Sequence, residues 1–264
     1  MTGFVEGATT TEAWLTALEY LSTRLTREEF GLIVDIPNPA PEPADWCVVA
    51  NLNELLHQRG LQDTTAVANT LFPQGLAKTS DSRDSLYRRY RGILRYLRRN
   101  PKNRKGTYFE RLVDYPGTNG AGPVNQIERI IGDLRVEVSH RQNAHGALRH
   151  IYEAPILVPA KDHRPRGFPC LAHLSFHLDH DKLRLTAVYR NQYYVQKALG
   201  NFLGLAALQH FVANEAGLKP GTLSVHACHA EVEPEFARRD IEALVHRCHA
   251  AIERDREPMR ATGP

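Results

Sequence analysis

Residues 171–189, LAHLSFHLDHDKLRLTAVY, alternate apolar and polar side chains on either side of Asp179-His180-Asp181-Lys182. A period of two broken by a short polar tetrad predicts a hairpin, with strand Leu171–Leu178, a turn, and return strand Leu183–Tyr189. On the first strand His173, Ser175 and His177 share one face, and Ala172, Leu174 and Phe176 share the other. Immediately downstream the period changes. From about Tyr194 to Glu215 the pattern is that of a long helix, largely apolar over 198–208 and therefore central. GLKPG (217–221) ends it with a glycine followed by a proline, LSVHACHAEVE (223–233) reads as a further strand, and 234–254 as a final amphipathic helix. Strands interleaved with a buried helix indicate an α/β or α+β fold.

Working outward, TEAWLTALEYLSTRL (11–25) spaces Trp14, Leu15, Leu18, Leu21 and Leu25 at helical intervals, with Thr10 or Thr11 as cap. FGLIVDI (30–36) predicts a strand, the prolines of 37–43 a rigid connection, and WCVVA (46–50) a second strand. Helical patterns follow at Leu52–His57, 84–98 and 124–133, loops at 100–106 and 114–123, and a strand near 148–158. No repeat, low-complexity segment or linker interrupts the chain, so residues 1–264 are expected to form one domain.

Hydrophobic residues make up 42% of the 264, which places the chain with ordinary globular proteins rather than disordered ones. It has no apolar run long enough for a transmembrane helix, and MTGFVEGATTTEAW does not read as a secretory signal. The four cysteines (Cys47, Cys170, Cys228, Cys248) are dispersed, as expected of free thiols in the cytoplasm. His226, Cys228 and His229, with His173 and His177, match no zinc spacing, so no metal is expected. The net charge is +3, with arginine, lysine and three tyrosines concentrated in YRRYRGILRYLRRNPKNRK (87–105). That stretch is either an anion-binding surface, nucleic acid included, or a solvated helix face.

Cys170 follows Pro169 where a turn hands over to a strand. There a thiol is either a small buried hydrophobe or a nucleophile at a strand end. Arg190 follows Cys170 by 20 positions, and Asn201 follows Arg190 by 11. With His229 these residues fall at the ends or insides of four consecutive elements.

Residues 169–233 resemble the thymidylate synthases and the related pyrimidine-nucleotide hydroxymethylases that act on dCMP or CMP. That family has a Pro-Cys at a strand start, an Arg-Ser ending the hairpin partner, and an Asn in the next long helix. A Gly-Leu-x-x-Gly helix end and a His-x-Tyr strand follow. Here the corresponding residues are Pro169-Cys170, Arg190-Asn191, Asn201, GLKPG and His229-Ala230-Glu231. NQIERII (125–131) resembles the helix before the family's paired arginines, with Arg149-His150 near that pair, and Tyr108 falls near a Gly-x-x-Tyr-Gly stretch. The resemblance covers 105–233; residues 1–104 are divergent, and 234–264 form a C-terminal helix and tail.

The resemblance implies a thymidylate-synthase-like fold, a mixed sheet packed against a long central helix, and modification of C5 of a pyrimidine nucleoside monophosphate. Cys170 would add to C6, since a thiolate is nucleophilic and later leaves readily. Arg190 would grip the phosphate and favour the thiolate, and Asn191, replacing serine, would donate to phosphate. Asn201 both donates and accepts, which suits the O4/N3 edge of uracil. His229 and Glu231 would hold the sugar, with glutamate in place of tyrosine leaving ribose and deoxyribose both open. Arg149 would reach a phosphate across a homodimer interface. The donor implied is 5,10-methylenetetrahydrofolate. The departures gather on its side: the family's Arg-Thr-Gly loop and His-Glu-Leu-Leu-Trp-Phe-Leu segment have no counterpart. Glu110, Asp114 and Glu153 are candidates to replace the missing glutamate, Tyr193 replaces an aspartate, and EPMRATGP lacks the folate-closing terminus. Nucleotide binding without turnover, and action on nucleic acid through 87–105, are the alternative readings.

Overall fold

A computed structural model describes residues 3–117, 120–141, 152–162 and 169–261. The N-terminal elements are β1 (Phe4–Glu6), α1 (Thr10–Thr23), β2 (Glu28–Ile36), α2 (Trp46–Gln58) and α3 (Thr64–Leu71). Next come α4 (Gln74–Lys78), α5 (Arg83–Leu97), a 3₁₀ turn (Pro101–Asn103), α6 (Tyr108–Val113) and α7 (Gln126–Arg141). Then follow β3 (Tyr152–Pro155), α8 (Pro159–Asp162), β4 (Leu171–Asp179), β5 (Lys182–Tyr189) and β6 (Gln192–Tyr193). A π-helical turn (Tyr194–Ala198) opens α9 (Leu199–Ala216), and β7 (Lys219–Glu231) and α10 (Arg238–Ala261) complete the chain.

The strands form one mixed sheet in the order β1-β2-β7-β5-β4-β3, with β6 also on β7. β4 and β5 are the expected hairpin, Asp179 pairing with Lys182 and His180 taking a left-handed φ of 54° in the turn. β5 and β7 run parallel because α9 returns the chain between them, and β2 closes antiparallel on β7. The two strands of the first hundred residues thus extend the sheet that carries the region 169–233.

Alternation sets which face is buried. Leu185, Ala187, Leu223 and Val225 lie under α9 in the core and Leu174 and Phe176 are buried on the same side of the sheet, while His173, Ser175, Thr186, Val188, Ser224 and His226 face away and remain partly exposed. α9 is apolar on all sides and buried along most of its length, as its composition predicts. Gly217, at φ 73°, ends it: Leu218 N–H bonds to Ala213 carbonyl at 2.8 Å in a Schellman-type closure.

WCVVA is helix, not strand: it forms the first turn of α2. Val48, Val49, Leu52, Leu55 and Leu56 are buried at helical spacing, while Trp46 is 61% exposed. A five-residue apolar run fits either period, and the residues after it decide. The cap of α1 is Thr9, whose hydroxyl accepts from Glu12 N–H, rather than Thr10 or Thr11, both of which are buried.

Candidate functional site

Cys170 stands one residue before β4, half-buried, at a point where the hairpin is irregular. Leu171 pairs with Tyr189, and the register then shifts before His173 pairs with Val188. Such a bulge at a strand start re-aims neighbouring side chains. Arg190 lies one residue past β5, so the hairpin register brings it beside Cys170. Its backbone N–H donates to the Cys170 carbonyl at 2.9 Å, Nε donates to Pro169 carbonyl at 3.2 Å, and Nη2 is 4.0 Å from Cys170 Sγ. Tyr108, first residue of α6, takes the Leu171 N–H on its hydroxyl at 3.5 Å. The Cys170 thiol is held above its ordinary value, because burial pushes it up by more than Arg190 and then Lys197 pull it down. Burial also pushes the Tyr108 phenol up to about 12, with the Cys170 charge acting in the same direction.

Asn191, His229 and Glu231 form a second, adjoining cluster. His229 Nδ1 is 2.5 Å from Asn191 Oδ1, its Nε2 is 3.0 Å from Glu28 Oε2, and Asn191 Nδ2 donates to Glu231 Oε1 at 3.2 Å. Glu28 belongs here because β2 pairs it directly with Glu231, and Phe30 of the same strand packs on the imidazole at 4.8 Å. Asn191 is therefore engaged by Glu231 and His229. Tyr193, 40% exposed, joins the clusters: burial raises its phenol first, then the charges of Glu231 and Cys170. Asn201 lies in the first turn of α9 at 4% exposure, and its carboxamide makes no hydrogen bond among the described residues. Arg149 lies outside the described residues.

No family model matches the chain. It is 32% identical over 130 residues to a protein of Methanopyrus kandleri named "Putative thymidylate synthase", covering 49% of this chain and 55% of that protein. Proteins of the same name from Methanocaldococcus jannaschii and Methanococcoides burtonii are 27% identical over 131 residues and 28% over 133, covering 56% and 55% of their lengths. The chain spans about half the length of the curated relatives it matches. These similarities support a thymidylate-synthase-like family.

Two charged residues around the π-helical turn were not legible in the sequence. Lys197, in the π-helical turn, interacts electrostatically with Cys170, and Glu233, two positions past β7, accepts from Val195 and Gln196 N–H at 3.0 and 2.9 Å. The available signals were a lone lysine entering an apolar helix and an acid ending an apolar strand. Of the other acids considered, Glu110 pairs with Arg98, Asp114 with Arg91, and Glu153 with His173. The basic stretch 87–105 forms the end of α5 and the 3₁₀ turn. Two of its tyrosines, Tyr87 and Tyr90, are core residues, and Tyr96 alone is exposed, beneath the Arg95 and Arg99 guanidinium groups. Most of the aromatic interleaving is thus packing. Among the described residues no cluster of three or more His, Cys, Asp or Glu is placed to hold a metal ion, and no helix is long and apolar enough to cross a membrane.

Proposed function

We propose that this chain is a thymidylate-synthase-like transferase that attaches a one-carbon unit, methyl or hydroxymethyl, to C5 of a pyrimidine nucleoside monophosphate through a Cys170–C6 bond. The observation that carries this reading is the Arg190 guanidinium 4.0 Å from Cys170 Sγ, held there by backbone and side-chain bonds to residues 169 and 170. A fixed cation beside a half-buried thiol favours the thiolate, and a two-pronged guanidinium binds phosphate well. The names of the archaeal relatives point to the same chemistry.

C5 of a pyrimidine does not react with electrophiles until a nucleophile adds at C6. The Cys170 thiolate forms the S–C6 bond, and the C5–C6 π electrons move onto C5 and the C4 carbonyl. C5 then takes an electrophile, the original C5 proton leaves to solvent, and the S–C6 bond breaks to restore the ring and the thiolate. Arg190 holds the phosphate, and the Asn201 carboxamide, buried and without a hydrogen-bond partner among the described residues, donates and accepts at the base edge. His229 and Glu231 meet the sugar hydroxyls through the network they share with Asn191. 5,10-Methylenetetrahydrofolate, the donor the resemblance implies, would supply the one-carbon electrophile and leave as its C–N bond to that carbon breaks; water would complete a hydroxymethyl group, whereas a methyl group would need a hydride from the donor. An aromatic donor of that kind fits the exposed phenol ring of Tyr193, which would hold it by stacking.

The test needs no donor. The protein is incubated with UMP, dUMP, CMP or dCMP tritiated at C5, and release of tritium to water is followed. Exchange with at least one of the four is expected, and Cys170→Ser is expected to abolish it. Absence of exchange with all four would overturn the reading. In that case equal nucleotide-induced melting shifts in wild type and Cys170→Ala would leave a binding protein without turnover. Binding of an oligonucleotide that weakens steeply with salt would instead favour action on nucleic acid.

A further inference from the structure

We propose that Glu28 and Glu231 together form a site for the vicinal 2′,3′-diol of a ribose, so that the substrate is a ribonucleoside monophosphate rather than its deoxy counterpart. This rests on the nucleotide site of the proposed function and names the sugar that site takes.

The two carboxylates meet through a strand pairing that the region 169–233 does not itself contain. β2 lies antiparallel on β7, with Glu28 opposite Glu231 and Phe30 opposite His229. Directly opposed residues carry their side chains on one face of a sheet, about 5 Å apart at Cβ. The His229 ring joins them: Nε2 is 3.0 Å from Glu28 Oε2, and Nδ1 is 3.9 Å from Glu231 Oε1. A short path of contacts leads from there to the thiol. The Cys170 carbonyl accepts from Arg190 N–H at 2.9 Å, and the next residue, Asn191, reaches both His229 and Glu231.

Donors and acceptors in this network can be counted. Asn191 donates from Nδ2 to Glu231 Oε1, so its carbonyl Oδ1 is what faces His229 Nδ1. Both ring nitrogens therefore face acceptors within the protein, and Phe30 packs on the ring at 4.8 Å. The imidazole orients the carboxylates and leaves the sugar to them. Each carboxylate commits one oxygen to the network. Glu28 Oε1 and Glu231 Oε2 make no hydrogen bond or ion pair among the described residues, and the two side chains keep 37% and 24% of their surface in water. Two open carboxylate oxygens, one on each strand, accept two hydroxyl donors. A ribose supplies both. A 2′-deoxyribose supplies one and sets a methylene against the other oxygen. That oxygen then loses its water without a replacement, which is how a site built for a hydroxyl rejects the analogue lacking it.

The test is isothermal titration calorimetry of wild type, Glu28→Ala and Glu231→Ala with UMP, dUMP, CMP and dCMP, which needs neither a donor nor turnover. For the base that binds more tightly, wild type is expected to favour the ribonucleotide over its deoxy counterpart by about tenfold to a hundredfold. Each variant is expected to weaken the ribonucleotide about tenfold. Only one of the two, the variant whose carboxylate held the single hydroxyl, is expected to weaken the deoxynucleotide as much. A merely structural role would move both sugars together. If thermal melting shows that an alanine variant does not fold, Glu28→Val or Glu231→Val, better suited to a strand, replaces it. A wild type that does not favour the ribose by at least about threefold, or variants that weaken both sugars alike or neither, would overturn the diol site and leave the proposed function standing. Failure of all four nucleotides to bind would overturn the nucleotide site itself. A ribose preference of the expected pattern in a protein that releases no C5 tritium would support the diol site and count against turnover alone.

Discussion

Glu233 accepts two backbone N–H bonds, and both favour the carboxylate, yet burial outweighs them and pushes the group from its ordinary 4.5 up to about 7. The folded state therefore binds this proton more tightly than the unfolded chain. Its stabilising contribution is full below pH 4.5 and is lost as pH rises through 7, by on the order of 3 kcal/mol. Urea unfolding midpoints at pH 5 and pH 8 check this. Wild type is expected to lose stability between them, and Glu233→Gln, uncharged at both, to lose markedly less. An identical loss in the two proteins would refute it. At this scale the sequence was partly legible. Cys170 and Arg190 could be placed side by side because a hairpin register fixes which residues meet. The engagement of Asn191 by Glu231 and His229 could not, because it depends on the two-residue β6 pairing with β7, nor could that of His229 by Glu28, which depends on β2 pairing with β7 from the opposite end of the chain.

Among the elements, α9 is held in place by what its neighbours lack. Between Leu183 and Leu185 the register of β5 on β7 slips by one residue, and the Gln209 carboxamide, buried on α9, donates to the carbonyls of Leu183 and Gly221 at 2.8 and 3.0 Å. On another side Gly200 and Gly204 let α3 approach closely: a Cβ on Gly204 would stand 2.7 Å from the Ala68 carbonyl oxygen. Gly204→Ala must therefore push two helices apart and is expected to destabilise by about 1–3 kcal/mol. Gly92, exposed in α5 with no atom within 4 Å of an added Cβ, is the control; Gly92→Ala is expected to stabilise by about 0.5–1 kcal/mol. Chemical denaturation of both variants checks the pair, and equal effects would refute the close-packing argument. The central helix was legible because its apolar run is too long for a strand. α3 (TTAVANTL) was not, since its residues are weak helix formers and the helix is stabilised by contact with α9. β1 is three residues long and carries no period to read; it exists because β2 offers it an edge.

For the molecule as a whole, one face of the sheet has its covering helices and the other has side chains suited to a cover. Ile33, Ser175, Thr186, Val188, Ser224 and His226 lie on that second face, only partly exposed, beside the charged Asp35, Glu153 and Arg184. A sheet in a globular protein buries apolar surface by packing against a further layer. A second copy of this chain supplies one most simply, since a two-fold contact sets each face against its own residues. In the proposed reading Arg149 would reach a phosphate across a homodimer interface. Sedimentation at micromolar concentration is expected to give a dimer. Val188→Lys, which a two-fold axis would duplicate at the interface, is expected to shift it to monomer while circular dichroism stays unchanged, because Val188 points away from the core. The tritium exchange of the monomeric variant then separates two roles for the interface. If Arg149 acts across it, exchange falls with the dimer; if each chain holds its own nucleotide, exchange persists. A wild type that sediments as a monomer would remove the assembly, and with it any role for the partner's Arg149.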